Sequence, residues 1–156
     1  MIDTRSYKNG LIEGVVFCFY KDNKVLLEDR GKGFNVEAFF PNGTIEIKDK
    51  NSSDDYIVNA LFREVSEEFK NRINILDKAF LGELIVPEIN VLFYIFVITD
   101  WEGDFPDEIQ EIGEPDSKIS FFSIDEARTL FKYQSAFEML DRVLNYIKRE
   151  GNNNER

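Results

Sequence analysis

Three carboxylates stand at positions i, i+3 and i+4: Glu64, Glu67 and Glu68. At about 100° per residue they fall within one arc of a helix and project from neighbouring points of one face. Val58, Leu61, Phe62, Val65 and Phe69 fall on another arc and read as the core-facing stripe of the same helix. Like charges so spaced cost roughly a few tenths of a kcal/mol per pair in an isolated helix, and a bound cation would remove that cost. A hard divalent cation such as Mg²⁺ takes oxygen ligands and keeps several waters, which suits carboxylates facing a phosphate. The competing reading is a solvated helix in which Glu67 pairs with Arg63 or Lys70 and Glu68 with Arg72. Against it, Glu68 lies beside Leu61 on the helical wheel, where a carboxylate needs a metal or an arginine as partner.

Composition narrows the chemistry. The 156 residues contain no His and one Cys. That excludes Ser-His-Asp and Cys-His nucleophile pairs, imidazole-bound metals, Cys-rich zinc sites and an intrachain disulfide. A net charge of −11 argues against nucleic acid as a partner, while a small phosphate substrate stays open if a metal offsets the repulsion. Catalysis, where present, runs through carboxylates. Fifteen Phe and six Tyr demand a core. No apolar leader is visible, and the longest apolar run, 91–98, is far short of the roughly 20 residues of a membrane span. A cytoplasmic protein without membrane contact is expected. Cys18, inside the apolar run 15–19, is expected to be a buried thiol.

The elements that must hold the carboxylates follow from patterning. Runs 14–19 and 24–28 around Lys21-Asp22-Asn23 predict a β-hairpin. Residues 34–40 read as a short strand closed by Pro41-Asn42-Gly43, 44–47 as extended, and 48–53 as a polar surface loop. Asp54 or Asp55 caps the acidic helix, which runs to about Phe69. Residues 79–86 and 90–99 are strands, followed by an acidic loop over 100–115 long enough to suggest a functional role. Residues 119–122 form a strand. Ser123 caps a helix to about Phe131 with Glu126 at the capping-box position, and Ser135 caps a last helix through Phe137, Leu140, Val143, Leu144 and Ile147. One domain over 1–150 and a polar tail over 151–156 result. Strands interspersed with helices make the class α+β or α/β.

The hexapeptide Arg63-Glu64-Val65-Ser66-Glu67-Glu68 resembles the core of the Nudix (MutT-like) signature, Arg-Glu-apolar-any-Glu-Glu. Ala60 stands where small residues are usual in that family. Gly43, after Phe39-Phe40-Pro41-Asn42, resembles the Pro-Gly-Gly entry to the box, and Thr44-Ile45-Glu46 follows in familiar style. The runs 14–16 and 25–30 look like the family's first hairpin, and 121–127 like its strand-to-helix passage, so the likeness covers about 12–148. Gly43 and Arg63 stand six residues farther apart than in the family, which is most simply an insertion within 48–53. Asp55 then falls eight before the Arg, where the family has Glu, and Lys70 replaces the Gly after the helix, with Asn71 able to end it in the left-handed conformation.

The resemblance implies an α/β/α sandwich, a mixed sheet packed between helices. It also implies hydrolysis, dependent on Mg²⁺ or Mn²⁺, of a nucleoside diphosphate linked to another moiety. By matching, Glu67 and Glu68 are the principal metal ligands, Glu64 supports them and orients or deprotonates water, and the Gly43 carbonyl is a further metal contact. Arg63 holds these carboxylates, and Asp55 has the family's supporting position. Several members draw a general base from a loop near the C-terminal strands; of Glu108, Glu111 and Glu114 here, Glu111 or Glu114 is preferred. Arg30 is a candidate for substrate phosphate, against a surface ion pair with Glu28 or Asp29. Phe39 and Phe40 alternate, one inward and the other towards a base, which makes Phe40 the candidate substrate contact, against core packing of both as the favoured bland reading. Trp101 and Phe105 read as packing before pocket lip. A homodimer is allowed by the resemblance alone. The alternative function is a non-catalytic Nudix-like sensor of a phosphorylated metabolite.

Overall fold

The computed structural model describes residues 2–31, 36–51, 55–109 and 117–154. A short strand, Tyr7–Lys8 (β1), leads into the expected hairpin of Leu11–Lys21 (β2) and Lys24–Asp29 (β3). Asp22 and Asn23 at its tip have φ of 51° and 63°, the left-handed pair whose twist matches the strands. Ala38–Phe39 (β4) and Asn42–Thr44 (β5) follow, then a 3-10 turn, Ile47–Lys50, and the acidic helix Tyr56–Glu68 (α1). Asn74–Val86 (β6) and Val91–Glu102 (β7) are the long strands, and Glu108–Ile109 (β8) pairs with Ser117–Ser123 (β9). The helices Ile124–Leu130 (α2) and Gln134–Asn154 (α3) complete the order.

The strands form one mixed sheet in the order β6-β7-β2-β3-β9-β8, with β1 and β5 on β2 and β4 on β3. β2 and β7 are parallel over eight residue pairs, and the other pairings are antiparallel. Their continuous apolar sequences follow from burial on both faces. Val16 and Cys18 of β2 with Phe93, Ile95 and Val97 of β7 meet α2 and α3 through Ala127, Met139, Leu140 and Val143. Val15, Phe17 and Phe19 with Leu92, Tyr94, Phe96 and Ile98 meet α1 through Ala60, Leu61, Val65 and Phe69. This is the expected α/β/α sandwich. Cys18 is buried, and burial pushes its thiol up. Trp101 and Phe105 pack against Phe19 and Phe121 in the α1-side core. Among the described residues no helix is long and apolar enough to cross a membrane.

Several local expectations are corrected. The polar stretch 48–53 is not all surface loop: it enters a 3-10 turn, because Asp49 is drawn inward as a buried residue. Phe62 is exposed rather than core-facing, since the buried arc of α1 centres on Leu61 and Val65; the Lys78 ammonium sits 5.6 Å from its ring centroid. β6 starts earlier than 79 and β7 continues to Glu102, because the two pair across Asn74–Glu102 and Ile75–Trp101. α3 begins at Gln134, so Ser135 lies inside it, and the helix runs through Gly151 to Asn154 where a tail was expected. Ser123 does cap α2 in a capping box with Glu126, and Lys70 and Asn71 are both left-handed after α1.

One carboxylate is sealed inside the α1-side layer. Glu13 of β2 accepts from Ser6 Oγ at 2.6 Å, Tyr56 Oη at 2.6 Å and Tyr94 Oη at 2.5 Å, with Lys50 Nζ 3.8 Å away. Tyr56 opens α1 and Tyr94 lies on β7, so the acid ties the helix start to the sheet. Burial alone would push the Glu13 carboxyl up; the hydroxyls and Lys50 overcome it and hold it below the usual carboxylate range. A depressed folded pKa contributes stability above the unfolded value of 4.5, lost as pH falls through the folded value. Glu13→Gln is therefore expected to lower stability at pH 7 by about 1–3 kcal/mol. In thermal unfolding the gap from wild type should close as pH falls below 4.5; a gap independent of pH would contradict the assignment.

Candidate active site

The acidic helix is started by Asp55, whose side chain accepts from the Ile57 N–H at 2.9 Å. Its buried stripe docks on β2 and β7, and that docking decides where the acids go. Glu67 stays open, its side chain 55% exposed, Glu64 is mostly covered, and Glu68 is buried. Arg63, also mostly buried, is the hub. Its Nε and Nη2 form a fork on Asp49, at 2.8 Å to Oδ1 and 2.9 Å to Oδ2. Nη2 also donates to the Thr44 carbonyl at 3.0 Å, and Nη1 to Glu64 Oε1 at 3.0 Å and Glu67 Oε2 at 3.1 Å. Burial disfavours the guanidinium charge, but Asp49, Glu64 and Glu67 hold it more firmly than in water. Burial likewise opposes ionised Asp49, and Arg63 with the Glu46 N–H outweighs it, keeping that carboxyl below its usual range.

Asp49 was not foreseen. The carboxylate clasped by Arg63 is Asp49 and not Asp55, which is occupied as the helix cap. The signal was present, because Asp49 is six residues after Gly43, the family's spacing counted forward from the glycine; counting back from Arg63 gave Asp55. The extra chain length therefore follows the acid. Asn59 Nδ2 donates to the Asp49 carbonyl at 3.1 Å and secures the same turn from the helix.

Gly43 and Glu64 are brought together. A Cβ on Gly43 would fall within the Glu64 carboxyl group, so only glycine lets β5 approach this side chain. All candidate donors are hard oxygens: three carboxylates and the Gly43 carbonyl, a set suited to Mg²⁺ or Mn²⁺. Among the described residues no three acidic side chains converge as a closed metal cage. Mg²⁺ does not need one, since it is commonly held by one or two carboxylates with water and substrate phosphate completing its shell. The donor set fits such an ion.

Of the other sequence candidates, Phe40 is buried against Phe131, ring centroids 5.6 Å apart, while Phe39 is half-buried and stacks on Tyr133 at 5.1 Å. Both line a cavity of about 520 Å³ with Arg30, Asn42, Tyr133 and Met139. Arg30 does pair with Glu28, Nε to Oε1 at 2.8 Å. Glu108 lies on β8 and is exposed; Glu111 and Glu114 lie outside the described residues.

No family model matches the chain, and no curated protein matches it in sequence. Solved structures do. An ADP compounds hydrolase is 19% identical with a TM-score of 0.64, over 89% of this chain and 74% of that one. A Nudix hydrolase from Nitrosomonas europaea is 21% identical with a TM-score of 0.60, over 86% and 89%. A MutT Nudix hydrolase from Burkholderia pseudomallei is 14% identical with a TM-score of 0.64, over 85% and 97%. At these identities the likeness establishes the fold.

The clasp predicts an order of stabilities in urea unfolding. Asp49→Ala leaves the Arg63 fork without its main anchor and should cost about 3 kcal/mol, whereas Asp55→Ala removes a cap and should cost about 1 kcal/mol. The reverse order would place the anchor of Arg63 elsewhere.

Proposed function

We propose that this chain, which has the Nudix fold, is a metal-dependent hydrolase that cleaves the diphosphate bond of a nucleoside diphosphate linked to another moiety. The observation that carries the reading is the Arg63 hub: one guanidinium holds Asp49, Glu64 and Glu67 beside a glycine that makes room for Glu64. A surface helix of solvated acids has no use for that arrangement. Glu67, Glu68 and the Gly43 carbonyl would hold Mg²⁺ or Mn²⁺, which supplies charge neutralisation and a more acidic bound water. Glu64, fixed against Gly43 by Arg63, orients or deprotonates the attacking water. Glu111 or Glu114 is proposed as general base from the segment joining β8 to β9, on sequence alone. Asp55 is left a capping role. A cytoplasmic setting belongs to the same reading.

The substrate's base and sugar are assigned to the cavity beside β5. Its volume is in the range usual for small-molecule sites, and Asn42 lines it while the adjacent Gly43 meets Glu64. One strand thus borders both the cavity and the carboxylates. Phe39 replaces Phe40 as the stacking candidate, since Phe40 belongs to the core. The second reading, a non-catalytic sensor, draws on the added chain between Gly43 and Arg63 and on Asp55 standing where the family has Glu.

A panel of nucleoside diphosphate derivatives assayed for phosphate or pyrophosphate release with Mg²⁺ or Mn²⁺ separates the two. Turnover is expected, lost in excess chelator and reduced at least about 100-fold by Glu67→Gln; binding without turnover would make the chain a sensor. With a hydrolysed substrate, Phe39→Ala is expected to raise KM about tenfold and leave kcat within a few fold, the loss of one stacking contact. An unchanged KM would remove Phe39 from the substrate site.

A further inference from the structure

Glu28 is a further buried carboxylate, 2% exposed, and it has no part in the helix chemistry. Its neighbours along β3 are Val25, Leu26 and Leu27, all buried and apolar, so the strand gives no reason for an acid at this point. Burying a carboxylate is unfavourable unless its partners are supplied. Here Oε1 accepts from Ser117 Oγ at 2.7 Å and Arg30 Nε at 2.8 Å, and Oε2 from Arg30 Nη2 at 3.3 Å. Ser117, itself buried, opens β9, the strand hydrogen-bonded to β3.

Arg30 is fixed at its root as well. Its N–H donates to the Glu37 carbonyl at 3.0 Å, and Asp29 Oδ1 accepts the N–H groups of Gly31 at 2.8 Å and Glu37 at 3.0 Å. The Arg30 side chain remains 40% exposed and lines the cavity next to Phe39 and Asn42. An arginine at a surface normally samples many rotamers; this one has its guanidinium plane set by a carboxylate that cannot itself move into water. A planar guanidinium held in that way is suited to meet a phosphate or another anionic oxygen with geometric selectivity.

We propose that Glu28, backed by Ser117, is a positioning residue that presets Arg30 at the cavity wall to receive an anionic oxygen of the bound nucleotide. The identity of the ligand rests on the hydrolase reading; the coupling between the two residues does not. ADP in the presence of Mg²⁺ is the probe, with Kd measured by calorimetry for wild type, Glu28→Gln, Ser117→Ala, Arg30→Ala and the Glu28→Gln/Arg30→Ala double variant, each beside a thermal unfolding curve. Arg30→Ala is expected to weaken ADP about tenfold. Glu28→Gln should weaken it severalfold in the wild-type background and not at all once Arg30 is gone, because residues acting through one another are non-additive. Ser117→Ala, the milder change, should give a smaller loss in the same direction and serves if Glu28→Gln fails to fold. Arg30→Lys, which keeps the charge without the fork, should not restore the affinity. Equal losses with and without Arg30, an unchanged Kd in both Glu28→Gln and Ser117→Ala, or no ADP binding by the wild type would overturn the proposal. If ADP binds with the expected coupling while no diphosphate is hydrolysed, the hydrolase reading fails and the positioning role stands.

Discussion

A guanidinium taken largely out of water has to be surrounded by acceptors, and the geometry around the acidic helix follows from satisfying Arg63. Its Nε and Nη2 grip Asp49 from the 3-10 turn, Nη2 reaches the end of β5 at Thr44, and Nη1 draws in Glu64 and Glu67 from its own helix. Three segments that are separate in sequence are thereby locked to one side chain. Each charge is costly to bury alone, so the arrangement is an all-or-none network in which removing one member strands the others. Glu64 is held against Gly43 in the same act, and a side chain on Gly43 would end that approach.

The hub can exist only because the sheet beneath it is rigid. β2 and β7 present alternate residues to two cores, so a shift of one residue in either would exchange the α1 side for the α2 and α3 side. That register places β5 against β2 through Val15 and Gly43, and it places the helix stripe of Leu61 and Val65 over the same strand. Glu13 adds a polar fastening, its carboxylate shared by a hydroxyl from the helix start and another from β7. A polar group so placed fixes position more narrowly than apolar contact does, because hydrogen bonds are directional and unsatisfied partners are penalised.

Alternation along the 40–43 segment divides the neighbourhood in two. Phe40 and Asn42 border the cavity on the α3 side, while Gly43 meets the carboxylate helix. Arg30 reaches the same cavity from β3, steadied by Glu28 and by the turn that Asp29 organises. Buried acids thus clamp arginines at two places among the described residues, Asp49 on Arg63 and Glu28 on Arg30. Of the two, Arg63 is largely covered by its carboxylates, whereas Arg30 keeps an exposed face at the cavity. It is Arg30 that is proposed to meet an anionic ligand in a protein with a net charge of −11.

The sequence by itself determined what depends on local pattern. The hairpin followed from two apolar runs around Asp22-Asn23, the acidic helix from its stripe and cap, and the α2 capping box from Ser123 and Glu126. Patterning gave only strands interspersed with helices, and the sandwich came from the resemblance to the Nudix signature. What it could not decide was which distant group each polar side chain would find. Asp49 and Asp55 were equivalent as acids upstream of Arg63, and only the inward fold of the 3-10 turn gave one to the arginine and the other to the helix cap. Phe39 and Phe40 were equivalent as neighbours until strand pleating buried Phe40 and left Phe39 stacked on Tyr133 at the cavity wall. The pairing of Glu28 with Arg30 was legible as a local option, but the burial of Glu28 was not, because its other partner, Ser117, lies on another strand. Periodicity and capping are short-range and legible in the chain; pairing of buried charges is long-range, and it is settled by the burial that only the assembled tertiary structure imposes.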